Sequence, residues 1–143
     1  MKPGKDYIGV GCGALIVNDK NETLLIKRTS KSQNEAGFWS KPGGTVEFNE
    51  KVEDAIIREI KEELGIDIEL TKLLGFTNHI LNSENQHWVA INYLAKIISG
   101  EPRIMEPDKM EEIKWFSFNN LPNKLTQTTK DPIREYLGQT STS

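Results

Sequence analysis

The chain reads as one mixed α/β domain: a sheet flanked by helices. Three observations predict it. Two pairs of β-branched, apolar segments are each joined by a short polar turn, Asn18–Asn21 and Ser83–Gln86. One segment in mid-chain, Val52 to Leu64, repeats apolar residues at helical spacing. Near the C-terminus a second, shorter segment, 132–137, also reads as helix. The 143 residues suit one domain with one core, and 36% hydrophobic with 27% charged is ordinary for a globular protein.

In order, Tyr7–Val17 is a strand with Gly9, Gly11 and Gly13 interleaved. These glycines alternate inside the strand pattern and do not link a strand to a helix, so they are no nucleotide-binding loop. Asn18–Asn21 turns the chain into a second strand, Thr23–Arg28, and the pair is expected to form a hairpin. Thr29–Gly37 is polar and is expected to be a mobile loop. Pro42-Gly43-Gly44 predicts an irregular backbone before the long helix. Asn49 is the expected N-cap of that helix, which then runs from about Glu50 to Leu64 and stops at Gly65. Asp67–Leu81, interrupted near Gly75, and His87–Ile98 form a second expected hairpin. Ser99–Lys109 is a loop and Glu111–Ser117 a last strand. Residues 138–143 are polar and expected to fray.

A net charge of −3 gives no bulk attraction to nucleic acid or an acidic membrane. No apolar run is long enough to span a bilayer, and the N-terminus lacks the apolar stretch of a signal peptide. The single cysteine, Cys12, lies in an apolar strand and reads as a buried thiol. A reducing cytoplasm is the expected compartment.

The charges of the long helix carry the functional signal. At about 100° per residue, Val52, Ile56, Ile60 and Leu64 form an apolar stripe, with Ile57 at one margin. Glu59 and Glu62 lie beyond the other margin, and Glu63 lies at the edge of the stripe itself. A carboxylate placed there is desolvated unless something compensates. Carboxylates at i, i+3 and i+4 share a face and repel unless a cation joins them. A salt-bridged surface helix with Arg58 and Lys61 is the plain alternative.

The flanking residues favour the first reading. Gly44, Glu50, Arg58, Glu59, Ile60, Glu62, Glu63, Gly65 and Ile66 match all nine fixed positions of G-x5-E-x7-R-E-U-x-E-E-x-G-U, with U aliphatic. A chance match of that length is on the order of one in ten million. The segment resembles the Nudix box, and Pro42-Gly43 before it and Trp115 after it extend the likeness. The resemblance implies an α/β/α sandwich around a mixed sheet, with the box as a loop-helix-loop, in a single domain over residues 1–143. It implies a hydrolase that cleaves nucleoside diphosphates linked to a further group X. A divalent cation, Mg²⁺ or alternatively Mn²⁺, neutralises the diphosphate and activates water. Glu59, Glu62, Glu63 and the carbonyl of Gly43 are the implied metal ligands. Arg58 would orient them, and Glu50 ranks after them.

Glu62 is the first candidate for the general base and Glu111 the second, with Glu112 behind. Arg28 is the implied phosphate contact, with Lys41 and Lys27 weaker. His79 and His87 are not required. Phe38, Trp39, Trp88 and Trp115 read as core or rim, with His87-Trp88 close enough in sequence to a turn to edge a pocket. Gly37–Gly44 and the turn around Glu84–Trp88 resemble small MutT-like (d)NTP pyrophosphatases acting on canonical or oxidised nucleotides. An ADP-ribose or nucleotide-sugar pyrophosphatase is the alternative, and a ligand-sensing module without catalysis a remote third. The implied partner is a small nucleotide, with a homodimer as the common assembly of such enzymes.

Overall fold

In the computed structural model of the chain, the described residues are 1–30 and 35–141. Four strands form one sheet in the order β4-β1-β6-β5, and three form another in the order β3-β2-β7. The strands are β1 (Gly9–Ile16), β2 (Glu22–Arg28), β3 (Trp39–Ser40), β4 (Gly43–Thr45), β5 (Asp67–Leu81), β6 (Gln86–Ser99) and β7 (Met110–Ser117). Two helices, α1 (Val52–Leu64) and α2 (Gln127–Ser141), complete the mixed α/β architecture. No helix among the described residues is long and apolar enough to cross a membrane.

The second hairpin forms as expected: β5 and β6 pair antiparallel down to Leu81 opposite Gln86, with irregularities near Leu70 and Gly75. The first does not. The turn is present, and Asn18 Oδ1 accepts from the backbone N–H groups of Lys20 and Glu22 at 3.0 and 2.9 Å. Beyond a single Val17–Thr23 bridge, however, β1 and β2 separate into different sheets. A strand has two edges, and both edges of β1 are taken: β6 pairs with it in parallel and β4 antiparallel. The β2 strand finds β3 and β7 instead. Pro42-Gly43-Gly44 is accordingly not merely irregular, because Gly43–Thr45 is the strand β4. The expectation of a mobile loop falls partly on residues 31–34, outside the described residues.

One core cluster joins the four-stranded sheet to α1. Cys12, Ala14 and Ile16 of β1 meet Ala55, Ile56, Ile60 and Leu64, with Leu24, Ile26 and Met110 from the other sheet. Trp115 packs at its margin. A second cluster, around Leu15, Leu25, Leu74, Leu125 and Ile133, seats α2. Trp39 belongs here, edge-on to Phe116 at 4.9 Å between ring centres. The alternation Leu24, Leu25, Ile26 thus serves both cores from one strand.

Helix α1 starts two residues later than its sequence suggests. Asn49 is no N-cap: its φ of 67° places it in the left-handed region, which asparagine tolerates in turns. Lys51 occupies the cap position without a side-chain bond, and Glu53 and Asp54 supply negative charge to the first turn. At the other end Gly65, at φ 69°, closes the helix by donating to Lys61 O. The loop that follows β6 completes this end: Arg103 N–H donates to Leu64 O at 3.1 Å and Met105 N–H to Glu63 O at 3.0 Å.

Helix α2 is longer than 132–137. It begins at Gln127 and continues to Ser141, so residues 138–141 extend the helix rather than leave it. Pro132 lies inside it, where a proline removes the bond to the carbonyl four residues back. That carbonyl belongs to Thr128, and Lys41 Nζ donates to it at 2.7 Å.

Ile60 is fully buried between α1 and the sheet. Ile60→Ala is expected to cost about 2–5 kcal/mol of stability. A urea titration followed by circular dichroism would read this as a lower midpoint at an unchanged slope.

Candidate active site

Arg58 organises the acidic end of the cleft. Its Nε and Nη2 donate to the two oxygens of Glu50 at 2.7 and 2.9 Å. Nη1 donates to Glu59 Oε1 at 2.9 Å and Glu62 Oε1 at 3.3 Å, and Nη2 also to Thr45 O at 3.1 Å. A planar guanidinium has five N–H groups, and these five contacts match that number. The fork at Glu50 holds its carboxyl at about 2, well below the usual carboxylate range.

Glu59 and Glu63 face inward. The Glu59 carboxyl lies directly against Gly44, where any side chain would collide with it. Glu63 Oε1 accepts from Gly43 N–H at 2.9 Å. Desolvation raises both carboxyls, Glu63 to about 8, and Glu59, Glu62 and Glu106 add like-charge repulsion around them. The chemistry of this oxygen set suits a hard divalent cation, whose charge would offset that desolvation. Among the described residues, no three acidic, histidine or cysteine side chains already converge on one point. Glu59 and Glu62 are turned toward Arg58 and Glu63 toward Gly43.

A cleft of about 550 Å³ opens beside this end. Among the described residues its lining carries three acidic side chains, Glu35, Glu59 and Glu63, and three basic ones, Arg28, Lys41 and Lys109. Lys41 is 8% exposed, and burial pulls its ammonium down to about 8. Its backbone N–H donates to Thr129 Oγ1 at 2.9 Å, so β3, β4 and α2 meet at this residue. Burial also lowers the Arg28 guanidinium, against the attraction of Glu35, Glu63 and Glu84. Cys12 lies at the floor as a buried thiol, pushed up to about 11 by desolvation.

Of the residues singled out in the sequence, the structure brings Gly43, Glu59, Glu63, Arg28 and Lys41 into the cleft wall. Arg58 and Glu62 stand behind and beside it, joined to Glu59 by the bonds above. Glu111 is not in the wall. It lies in β7, half-exposed, with its carboxylate 3.5 Å from Lys27 Nζ. Sequence reasoning missed several wall residues. His79 and Glu35 meet there at 2.9 Å, and Lys109, Thr126 and Thr128 line it as well. Nothing in the sequence marks these positions, because each becomes part of the site only through long-range folding.

A NUDIX domain model matches residues 8–137. The chain belongs to the Nudix family. This Nudix hydrolase superposes on the crystal structure of a MutT NUDIX hydrolase from Burkholderia pseudomallei with a TM-score of 0.85 and 48% identity, covering 91% of this chain and 98% of that one. It is 36% identical over 122 residues to an ADP-ribose pyrophosphatase of Methanocaldococcus jannaschii, covering 85% of this chain and 69% of that protein. It is 38% identical over 79 residues to an 8-oxo-dGTP diphosphatase of Proteus vulgaris, covering 55% and 67%. Other curated Nudix relatives are longer: the chain spans 34% of one and 24% of another.

The Nudix box of this enzyme has a pH signature. Glu63 keeps its proton in the folded state up to about 8, while an ordinary glutamate loses it near 4.5. The folded state therefore binds the extra proton, and rising pH removes stability across that window. Glu63→Gln keeps an oxygen for Gly43 N–H and cannot ionise. In chelator at pH 8, its melting temperature is expected to exceed that of the wild type by about 3–8 °C. The difference should shrink toward pH 5; a lower melting temperature at pH 8 would contradict the account.

Proposed function

We propose that the protein is a divalent-cation-dependent nucleoside triphosphate pyrophosphatase, converting a canonical or oxidised (d)NTP to the monophosphate and pyrophosphate. The observation that carries this reading is the composition of the cleft wall. Inward carboxylates at Glu59 and Glu63 stand in the same cleft as the buried Lys41 and the half-buried Arg28. That pairing suits a cation and the polyphosphate it neutralises. The similarity to an 8-oxo-dGTP diphosphatase, 38% identical over 79 residues, supports a nucleoside triphosphate as substrate.

In this reading Glu59, Glu62, Glu63 and the Gly43 carbonyl hold Mg²⁺, or Mn²⁺ in its place. Bound there, the cation supplies charge neutralisation and a lowered pKa for water. Arg58 orients Glu59 and Glu62. Arg28 and Lys41 bind phosphate oxygens along the cleft. Glu62 accepts the proton of the attacking water as its oxygen bonds to phosphorus, and the phosphoanhydride bond breaks with departure of pyrophosphate. Glu62 is preferred over Glu111 as base because it adjoins the inward carboxylates, whereas Glu111 is engaged with Lys27 on the surface.

A second reading, an ADP-ribose pyrophosphatase, is favoured by the relative from Methanocaldococcus jannaschii, whose match covers most of this chain. Both readings use the same carboxylates and differ in the leaving group. A panel of dNTPs, 8-oxo-dGTP, ADP-ribose and nucleotide sugars, assayed with Mg²⁺ and Mn²⁺ and with product analysis, separates them. Pyrophosphate release from a (d)NTP with the highest kcat/KM is the expected result. Higher kcat/KM on ADP-ribose would select the second reading, and no turnover of any member would defeat both. On the best substrate, Glu62→Gln is expected to lower kcat by roughly 1000-fold or more with the fold intact.

A further inference from the structure

Trp88 lies opposite Gly9 in the parallel β1–β6 pair. Its indole rests on the N-terminal segment. A side-chain carbon at Gly9 would collide with Cε3 and Cζ3 of the ring, and one at Gly4 with Cε2, Cζ2 and Nε1. Gly4 belongs to a tight turn over residues 2–7. Pro3 bridges Tyr7, Gly4 N–H donates to Tyr7 O at 2.6 Å and Asp6 N–H to Lys2 O at 2.9 Å. Lys2 N–H closes the turn on the Asp6 carboxylate. The turn is fastened to β6 by His87 N–H, which donates to Gly4 O at 2.8 Å. The indole N–H is held by Gln86 Oε1 at 2.9 Å. The ring's position is thus defined by two glycines and one hydrogen bond.

The same indole is part of the cleft wall, beside Gly11 and Ala90. Hydrolysis as described above makes no use of it. The floor in front is small-sided: the nearest atoms to a carbon at Gly11 would be Gly44 O at 3.6 Å and Ala90 at 3.9 Å. Gly44, where the Glu59 carboxyl lies, pairs with Cys12, whereas Trp88 pairs with Gly9. The two lie on opposite edges of β1, three residues apart along the strand and two strand spacings apart across it, about 14 Å between backbones at ~3.3 Å per residue and ~4.8 Å per strand.

We propose that Trp88 is the stacking surface for the nucleobase, and that the turn of residues 2–7 belongs to the substrate site because it sets the orientation of that indole. The ligand recognised is the planar heteroaromatic end of a nucleotide, so the inference rests on the nucleotide reading above. Gly4 and Gly9 are positioning residues that act through Trp88.

Two measurements on the full chain test it. In the first, intrinsic fluorescence is titrated with AMP, GMP, CMP and UMP, and separately with ribose 5-phosphate. At least one nucleotide should quench the wild type, ribose 5-phosphate should not, and Trp88→Phe should abolish the quench. In the second, kinetics on the best substrate of the panel should show KM raised about 10-fold or more in Trp88→Leu, with kcat within about 3-fold. Trp88→Phe should recover most of the loss. Gly9→Ala and Gly4→Ala, which push on the ring without touching the ligand, should raise KM in the same direction. Gly4→Ala lies in the outer turn and carries the test should Gly9→Ala or Trp88→Leu fail to fold. The proposal is overturned by equal quenching with ribose 5-phosphate, by no quenching from any nucleotide, or by unchanged KM in Trp88→Leu or Gly4→Ala. Hydrolysis of nucleotides with unchanged KM in those variants would reject the role of Trp88 alone, whereas failure of the wild type on every panel substrate would reject the functional reading itself.

Discussion

The guanidinium of Arg58 is the constraint on which the acidic end of this protein depends. Glu59, Glu62 and Glu63 sit within two turns of one helix, and left alone they repel. Arg58 faces two of them and fastens both to Glu50 and to Thr45 O, across the loop that leads into the helix. One side chain therefore fixes the loop to the helix and sets the direction of the carboxylates. A lysine would keep the charge and lose the geometry, because a point ammonium cannot reach five acceptors in one plane. What Arg58 does not reach is Glu63, whose carboxyl is pushed up to about 8 by burial and accepts a hydrogen bond from the N–H of Gly43.

The rest of the fold brings this cluster against a surface of opposite character. Strand β1 carries the arrangement. Its β4 edge places Gly43 and Gly44 under the carboxylates, and its β6 edge brings Trp88 and Ala90 into the same cleft. Between them, β2 ends at Arg28 and α2 begins beside Lys41. The two cores keep these parts in register: one presses α1 onto the four-stranded sheet, the other seats α2.

Helix α1 was legible in the sequence because its apolar stripe is regular and Gly65 marks its end. Its start was not, since Asn49 suits both an N-cap and a left-handed turn, and only tertiary structure chooses. The turn at Asn18–Asn21 was equally clear, but local sequence cannot report that both edges of β1 are already occupied. Pro132 suggested a helix boundary, and the helix passes through it because a distant lysine takes the carbonyl it strands. Of the site, the box residues could be read from spacing. His79, Glu35, Lys109 and Thr128 could not, since they lie on separate elements whose meeting is decided by the packing of sheets and helices.

That lysine has a divided allegiance. Through Thr128 O it repairs the defect made by Pro132 in α2, and it also forms part of the cleft wall. Position 41 is thus answerable to two selections at once. A residue chosen only for its grip on an anion would leave a helix carbonyl stranded, and one chosen only to mend the helix would take a cation from the cleft. With a residue other than proline at 132, its own N–H would take Thr128 O, and the ammonium of Lys41 would be released toward the cleft.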